Sequence, residues 1–162
     1  TSGDYSTILP FISAQMLGCF TGAILVYIHY GPYWKVTESQ DAKLACFSTS
    51  PAIPHTWSNL FSEIIGTFIL VMGVGAIFAG DLADGLPPFL VGGVVWGIGL
   101  SLGGTTGYAI NPARDLGPRI AHAILPIAGK GSSRFDYSWI PVVGPLIGGL
   151  LAGLFMLAFP VF

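Results

Sequence analysis

The chain has 162 residues, of which 52% are hydrophobic and only 9% are charged. Because soluble domains carry roughly 25% charged residues, this composition predicts an all-α integral membrane protein with several spans. The formal net charge is −2 and the basic residues form no patch in the sequence, which argues against nucleic acid as a partner. The two cysteines and three histidines lack the spacing of metal ligands, so no metal site is predicted.

Apolar runs divide the chain into spans and connectors, which form a single membrane domain over residues 1–162. The four predicted spans are residues 8–30, 57–79, 89–104 and 139–162. A long connector covers residues 31–56, a short acidic loop follows the second span, and a polar loop covers residues 123–138. Connectors as long as residues 31–56 are uncommon in compact domains and usually have a function or are disordered.

A polar stretch, residues 107–119, interrupts the apolar pattern between the third and fourth spans. It places an Asn, two Arg and an Asp in a chain that otherwise avoids charge. Asn111 followed directly by Pro112 is the pattern of a helix N-cap with Pro at the first helical position. The predicted helix, residues 111–122, has about 11 residues and spans roughly 16 Å, half of a ~30 Å hydrocarbon core. A half-membrane helix that begins with Asn and Arg can hold a polar solute at mid-membrane depth.

Two charged residues in apolar surroundings are candidate functional residues. Arg114 facing lipid would cost from roughly 3 to over 10 kcal/mol, so it should face a wet cavity or a partner. An ion pair with Asp115 is the structural alternative, but adjacent helical residues do not face each other. Glu63 is a lone carboxylate inside the second span. Such a residue either pairs with backbone or charge, or takes part in a proton relay.

Residues 111–115, with the sequence Asn-Pro-Ala-Arg-Asp, closely resemble the pore motif of the major intrinsic protein family, the aquaporins and glycerol facilitators. The similarity covers essentially all 162 residues and includes Pro10-Phe11, Pro54-His55 and the Gly- and Pro-rich last span. The Asp directly after Arg resembles the glycerol-conducting branch. The resemblance implies an aquaporin-like helical bundle with a re-entrant half-helix, surrounded by lipid in the cell membrane and assembled as a homotetramer.

The resemblance also implies which residues form the pore. The narrowest point corresponds to Tyr108 and Arg114 in the pore loop and Gly99 on the preceding span. Gly99 stands where water-selective members usually have His and implies a wider aperture, while Tyr108 implies an apolar wall. Asp115 is expected to support the loop. The pore motif corresponds to Asn111, Pro112 and Ala113, and the pore-lining backbone to Thr106, Gly107, Tyr108 and Ala109.

Glu63 has a role implied by the family, and Asn111 has one that follows from its place at a helix end. The residue that matches Glu63 accepts hydrogen bonds from the pore-loop backbone, which implies a strut for residues near 104–110. Asn111, beside the positive end of its helix, would turn the oxygen of a passing water or hydroxyl toward the helix, which opposes proton hopping and cation passage. Simpler interpretations stay open: Asn111 also serves as an N-cap, Tyr108 as a core or interface aromatic, and Gly99 as a helix-packing residue.

The predicted function is a passive channel for glycerol, other small uncharged solutes and water, with no cofactor and no energy source. A water-selective channel is the first alternative. A proton-coupled transporter that uses Glu63 and Arg114 is a second alternative, from another class. An enzyme is not predicted, because the sequence shows no nucleophile–base pair and no metal-ligand cluster.

The chain departs from the family in having one Asn-Pro-Ala motif, whereas the family has six spans and two half-helices, each with this motif. We therefore expect the sequence to belong to a longer chain whose first two spans and first half-helix lie upstream. The positive residues of the loops 31–56 and 123–138 would place these loops in the cytoplasm. The resemblance places them outside, which is the orientation we expect.

Overall fold

The computed structural model describes residues 5–159, and every regular element in that range is an α-helix. The helices are α1 (Ile8–His29), α2 (Tyr33–Val36), α3 (Gln40–Ala45), α4 (Thr56–Ala79), α5 (Leu86–Leu102), α6 (Pro112–Ile124), α7 (Phe135–Ser138) and α8 (Ile140–Ala158). Three segments are long and apolar enough to cross a membrane: Ile8–His29, Thr56–Ala79 and Phe135–Ala158. The apolar α5 has 17 residues. The predicted all-α fold class is confirmed.

The boundaries of the long helices reflect local backbone chemistry. α1 and α4 lie within one residue of the predicted spans at each end. α5 begins at Leu86, earlier than the predicted residue 89, because its first turn contains two prolines whose missing N–H groups are not needed there. α8 begins at Ile140. The last predicted residues of that span, 160–162, lie outside the described residues.

The two connectors that the sequence presents as loops contain short helices and pack onto the bundle. Ser39 caps α3 by accepting a hydrogen bond from the Ala42 N–H at 3.1 Å. The buried Trp34 of α2 donates its indole N–H to the Tyr27 carbonyl of α1 at 2.8 Å. The Phe47 ring packs at a tilt against Trp34 with ring centroids 5.7 Å apart. The 31–56 connector is therefore a folded cap over one end of α1.

Close helix contacts bring the long helices together around α4. This helix packs against α5 and α8, while α6 packs against α1 and α8. A Cβ added at Gly144 of α8 would lie 2.6 Å from the Cβ of Glu63, and one at Gly148 would lie 2.3 Å from the Ile64 carbonyl oxygen. Only glycine permits these approaches, which is how membrane helices pack without a hydrophobic driving force between them.

The half-helix α6 has 13 residues and is the polar helix of the bundle. Asn111 is its N-cap, and its side-chain oxygen accepts the Ala113 N–H at 2.8 Å. Pro118 lies inside the helix without ending it. The helix continues two residues beyond the predicted end at 122 and stops before Pro126, since the residue before a proline disfavours helical geometry.

Candidate functional site

The candidate site is built on residues 103–111, the loop that connects α5 to α6 and that the resemblance predicts to be the pore loop. The Gly107 N–H donates to the Gly103 carbonyl at 2.9 Å and turns the chain back. Tyr108 and Ile110 have positive φ angles of 42° and 45°. The left-handed region costs a non-glycine residue roughly 1–2 kcal/mol, so this loop needs support from outside.

Glu63 of α4 supplies that support. Its side chain is 0% exposed. One carboxylate oxygen accepts the Thr106 hydroxyl at 2.6 Å and the Ala109 N–H at 3.0 Å, and the other accepts the Ile110 N–H at 2.8 Å. Hydrogen bonds to charged groups contribute about 1.5–3 kcal/mol each, which is enough to offset the strain in the loop.

Asn111 and Arg114 lie at the beginning of α6 and keep donors available. Asn111 uses its side-chain oxygen for the helix cap and donates one amide hydrogen to the Gln15 side chain of α1 at 3.1 Å. Arg114 is exposed, and among residues 5–159 its guanidinium has no hydrogen-bond or ion-pair partner. Its five N–H donors are therefore free to meet a solute.

Three cavities follow one another along the N-terminal end of α6. The connector cavity, of about 380 Å³, lies between residues 48–51 and Arg114 and also includes Asp41 and Arg134. The loop cavity, of about 210 Å³, is lined by the pore-loop residues 108–111, by Arg114, and by Leu70 and Val95. The apolar cavity, of about 480 Å³, includes Ile12, Gln15, Asn111, Leu116 and Leu146. Arg114 thus borders the first two cavities and Asn111 borders the last two.

The Tyr108 ring lies directly on the backbone of Gly99. A Cβ added at Gly99 would be 2.9 Å from the Tyr108 Cζ atom and 3.2 Å from its hydroxyl oxygen. One added at Gly103 would be 2.7 Å from the Tyr108 Cδ1 atom. The space that Gly99 leaves is therefore filled by the aromatic ring, which forms one wall of the loop cavity.

Asp115 and Arg119 form a buried ion pair on the other face of α6. Both side chains are 0% exposed, and an Arg119 Nη atom lies 2.7 Å from an Asp115 carboxylate oxygen. Asp115 also accepts the Thr49 N–H at 2.8 Å and its hydroxyl at 2.6 Å. Arg119 donates to the carbonyls of Thr49, Ser133 and Arg134 at 2.8 to 3.2 Å. The pair fastens both connectors to α6.

The sequence of the chain matches the model of one family, described as major intrinsic protein, over residues 4–156. The chain belongs to the major intrinsic protein family. It is 60% identical over 145 residues to the glycerol uptake facilitator protein of Bacillus subtilis, which covers 90% of this chain and 53% of that relative. It is 61% identical over 147 residues to the probable glycerol uptake facilitator protein of Thermotoga maritima, which covers 91% of this chain and 63% of that relative.

A solved structure supports the same membership. The aquaglyceroporin from Plasmodium falciparum matches with a TM-score of 0.80 and 28% identity, over 98% of this chain and 66% of that chain. The chain therefore spans about half to two-thirds of the length of these major intrinsic proteins. With its long apolar helices, this family member is a multi-pass membrane protein of the aquaglyceroporin branch.

The sequence-predicted residues of this major intrinsic protein lie in two groups, one at the loop cavity and one bound to Glu63 and Thr49. Tyr108, Arg114 and Asn111 meet at the loop cavity, with Gly99 behind the Tyr108 ring. Thr106 and Ala109 are 1% exposed and turn toward Glu63. Asp115 points away from Arg114, toward Thr49. An ion pair between the neighbours Arg114 and Asp115 does not form, because Arg119 occupies the Asp115 carboxylate.

Three residues that contact the site were given no role by the sequence. Arg119 lies four positions after Asp115, the spacing at which helical side chains pair, so this partner was detectable. Gln15 is a polar residue inside an apolar span, which is also a signal of function. Thr49 is 66 positions from Asp115 in a connector, and its residue type gives no indication of the contact.

Proposed function

We propose that the protein to which this chain belongs is a passive transmembrane channel for glycerol, other small uncharged solutes and water. The observation that carries the proposal is the position of Arg114, whose free guanidinium borders both the connector cavity and the loop cavity. The two bacterial relatives are named a glycerol uptake facilitator and a probable glycerol uptake facilitator, and these names support the same solute. The proposal concerns the complete channel, since the chain covers only part of those relatives.

The loop cavity has the chemistry that a polyol requires. Leu70, Val95 and the Tyr108 ring offer an apolar wall to the C–H groups of the solute. Arg114 offers donors to the hydroxyl oxygens, and we expect the carbonyl groups of the loop backbone to accept the hydroxyl hydrogens. A solute that presents hydrocarbon on one side and hydroxyls on the other fits both walls at once.

Charge at the same place opposes cations. The Arg114 guanidinium carries a full positive charge, and the N-terminal end of α6 adds a partial positive charge beside Asn111. Both lie along the proposed path, and fixed positive charge at a constriction excludes cations and protons. Neutral solutes and water do not meet this barrier.

The contacts of Glu63 favour a passive channel over a proton-coupled transporter. A relay carboxylate needs access to a proton donor and acceptor, but Glu63 is fully buried and three protein donors occupy its oxygens. Its place in the structure suits a strut for the pore loop.

The proposed homotetramer follows the family resemblance and would be measured as the mass of the purified channel.

Liposomes reconstituted with the complete protein test the function. We expect glycerol to enter these vesicles faster than empty vesicles, without any ion gradient, together with accelerated water flow. Water flow without accelerated glycerol uptake would refute the polyol channel and favour the water-selective alternative. Glycerol uptake that appears only with a proton gradient would favour the coupled transporter.

A further inference from the structure

Lys130, in the loop between α6 and α7, binds the C-terminal end of the half-helix. Its ammonium group donates to the carbonyls of His122 at 2.8 Å, Ala123 at 2.6 Å and Leu125 at 2.8 Å. A lysine has three ammonium hydrogens, and these three acceptors use all of them. The side chain is half-buried. Lys130 therefore acts as a C-terminal cap supplied from outside the helix.

This cap stabilises the C-terminal end of α6 in two ways. The last carbonyls of a helix lack intrahelical donors, and Pro126 has no N–H to offer the His122 carbonyl. The C-terminal end of a helix also carries partial negative charge, which a lysine ammonium stabilises. Both effects fix the end of α6 that lies farthest from Asn111.

The helix depends on such outside contacts because its own hydrogen bonding is interrupted. Pro118, inside α6, cannot donate to the carbonyl of Arg114, which is four residues earlier. Isolated helices of 13 residues are marginal even without a proline. The position of Arg114 is therefore set by what holds the helix at its ends and sides.

A continuous set of contacts joins Lys130 to the pore. The loop that Lys130 holds against α6 also presents the carbonyls of Ser133 and Arg134, which accept hydrogen bonds from Arg119 at 2.8 and 3.2 Å. Arg119 in turn binds Asp115, the residue next to Arg114. We propose that Lys130 is a positioning residue for solute selection, which keeps Arg114 in register with Tyr108 through this loop and the buried ion pair.

The loop does not depend on Lys130 alone, which makes the residue testable. Lys43 of α3 donates to the Ala128 and Gly129 carbonyls and fastens the same loop to the connector. Replacing Lys130 by Met keeps an unbranched apolar stem, one atom shorter than the lysine side chain, and removes the charge and the three donors. We therefore expect a folded K130M channel in which the end of α6 is released.

The inference rests on the proposed function. The experiment compares four complete channels in liposomes: wild type, K130M, K130R and K35M. Lys35 is an exposed lysine of α2, so K35M is the matched control. Stopped-flow light scattering gives glycerol and water permeabilities, whose ratio does not depend on the number of folded channels. Hydrogen exchange of the α6 amides reports the release of the helix end.

In K130M we expect the glycerol-to-water permeability ratio to fall by roughly 2- to 30-fold, the range for residues that couple to a site through a packed network. We expect faster exchange near the end of α6, a wild-type ratio in K35M, and recovery of the ratio in K130R, which keeps charge and donors. Faster exchange with an unchanged ratio in K130M would overturn the inference and leave a purely local cap. A wild type that passes no glycerol would instead refute the proposed function.

Discussion

Replacing Glu63 by Gln changes one acceptor into a donor in a site that offers three donors. If the amide nitrogen replaces the oxygen that binds Ile110, the Ile110 N–H loses its acceptor. If it replaces the other oxygen, the Ala109 N–H loses its acceptor. The Thr106 hydroxyl can rotate to adapt, but a backbone N–H cannot. Either orientation leaves a buried backbone donor unpaired against the new amide.

The magnitude follows from these contacts. A lost hydrogen bond to a charged group and an unpaired buried donor together cost about 2–5 kcal/mol. The left-handed conformations of Tyr108 and Ile110 are no longer offset and act in the same direction. For a protein of this size, each kcal/mol lowers the unfolding temperature by about 2–4 °C, so E63Q should unfold roughly 4–20 °C below wild type.

The assay combines thermal unfolding in detergent with glycerol uptake by liposomes, with and without a proton gradient. The control is E38Q, since Glu38 is exposed in the connector and the substitution is chemically the same. We expect E63Q to have a lower unfolding temperature and a lower glycerol flux than wild type. The flux that remains should not depend on the proton gradient. Wild-type unfolding temperature in E63Q, or a gradient-driven flux that only this variant abolishes, would refute the strut and support the proton relay.

Three further predictions concern the wall, the charge and the connector. Gly99→His combined with Tyr108→Cys should lower glycerol permeability more than water permeability in stopped-flow measurements. The His imidazole places a polar ring in the aperture, and loss of the Tyr108 ring removes the apolar wall that faces the C–H groups of the solute. Equal effects on both permeabilities would remove both residues from the filter. Arg114→Val should raise cation or proton conductance across planar bilayers, and unchanged conductance would contradict the electrostatic barrier. Thr49→Val removes the 2.6 Å hydrogen bond to Asp115 but keeps the shape of the side chain. It should lower the free energy of unfolding by about 1.5–3 kcal/mol, measured by denaturation in detergent, and a neutral effect would show that the backbone N–H of Thr49 is sufficient.

Much of the fold was predictable because bilayer thickness and helix chemistry act locally. The bounds of α1 and α4 follow from apolar runs, and the start of α6 follows from Asn111 and Pro112. Connector helices such as α3 were not predicted, because helices of four to six residues leave no periodic pattern and are fixed by tertiary packing.

The site was predictable in residue types and less so in geometry. A lone carboxylate such as Glu63 is compatible with a strut or a relay, and only its three donors distinguish them. Gly99 suggests open space, but the Tyr108 ring fills that space. The contact between Thr49 and Asp115 joins positions 66 residues apart, which no local pattern encodes.

The bond between Glu63 and the pore loop has a consequence for biogenesis. Glu63 precedes its three donors by 43, 46 and 47 residues, so the ribosome completes α4 well before the loop exists. A non-helical segment cannot remain in hydrocarbon with unpaired N–H groups, and this loop finds its acceptor only inside an inserted α4. The membrane insertion of α4 must therefore come before the loop and the half-helix fold into the membrane. If α4 failed to insert, the loop and the half-helix would remain at the aqueous surface.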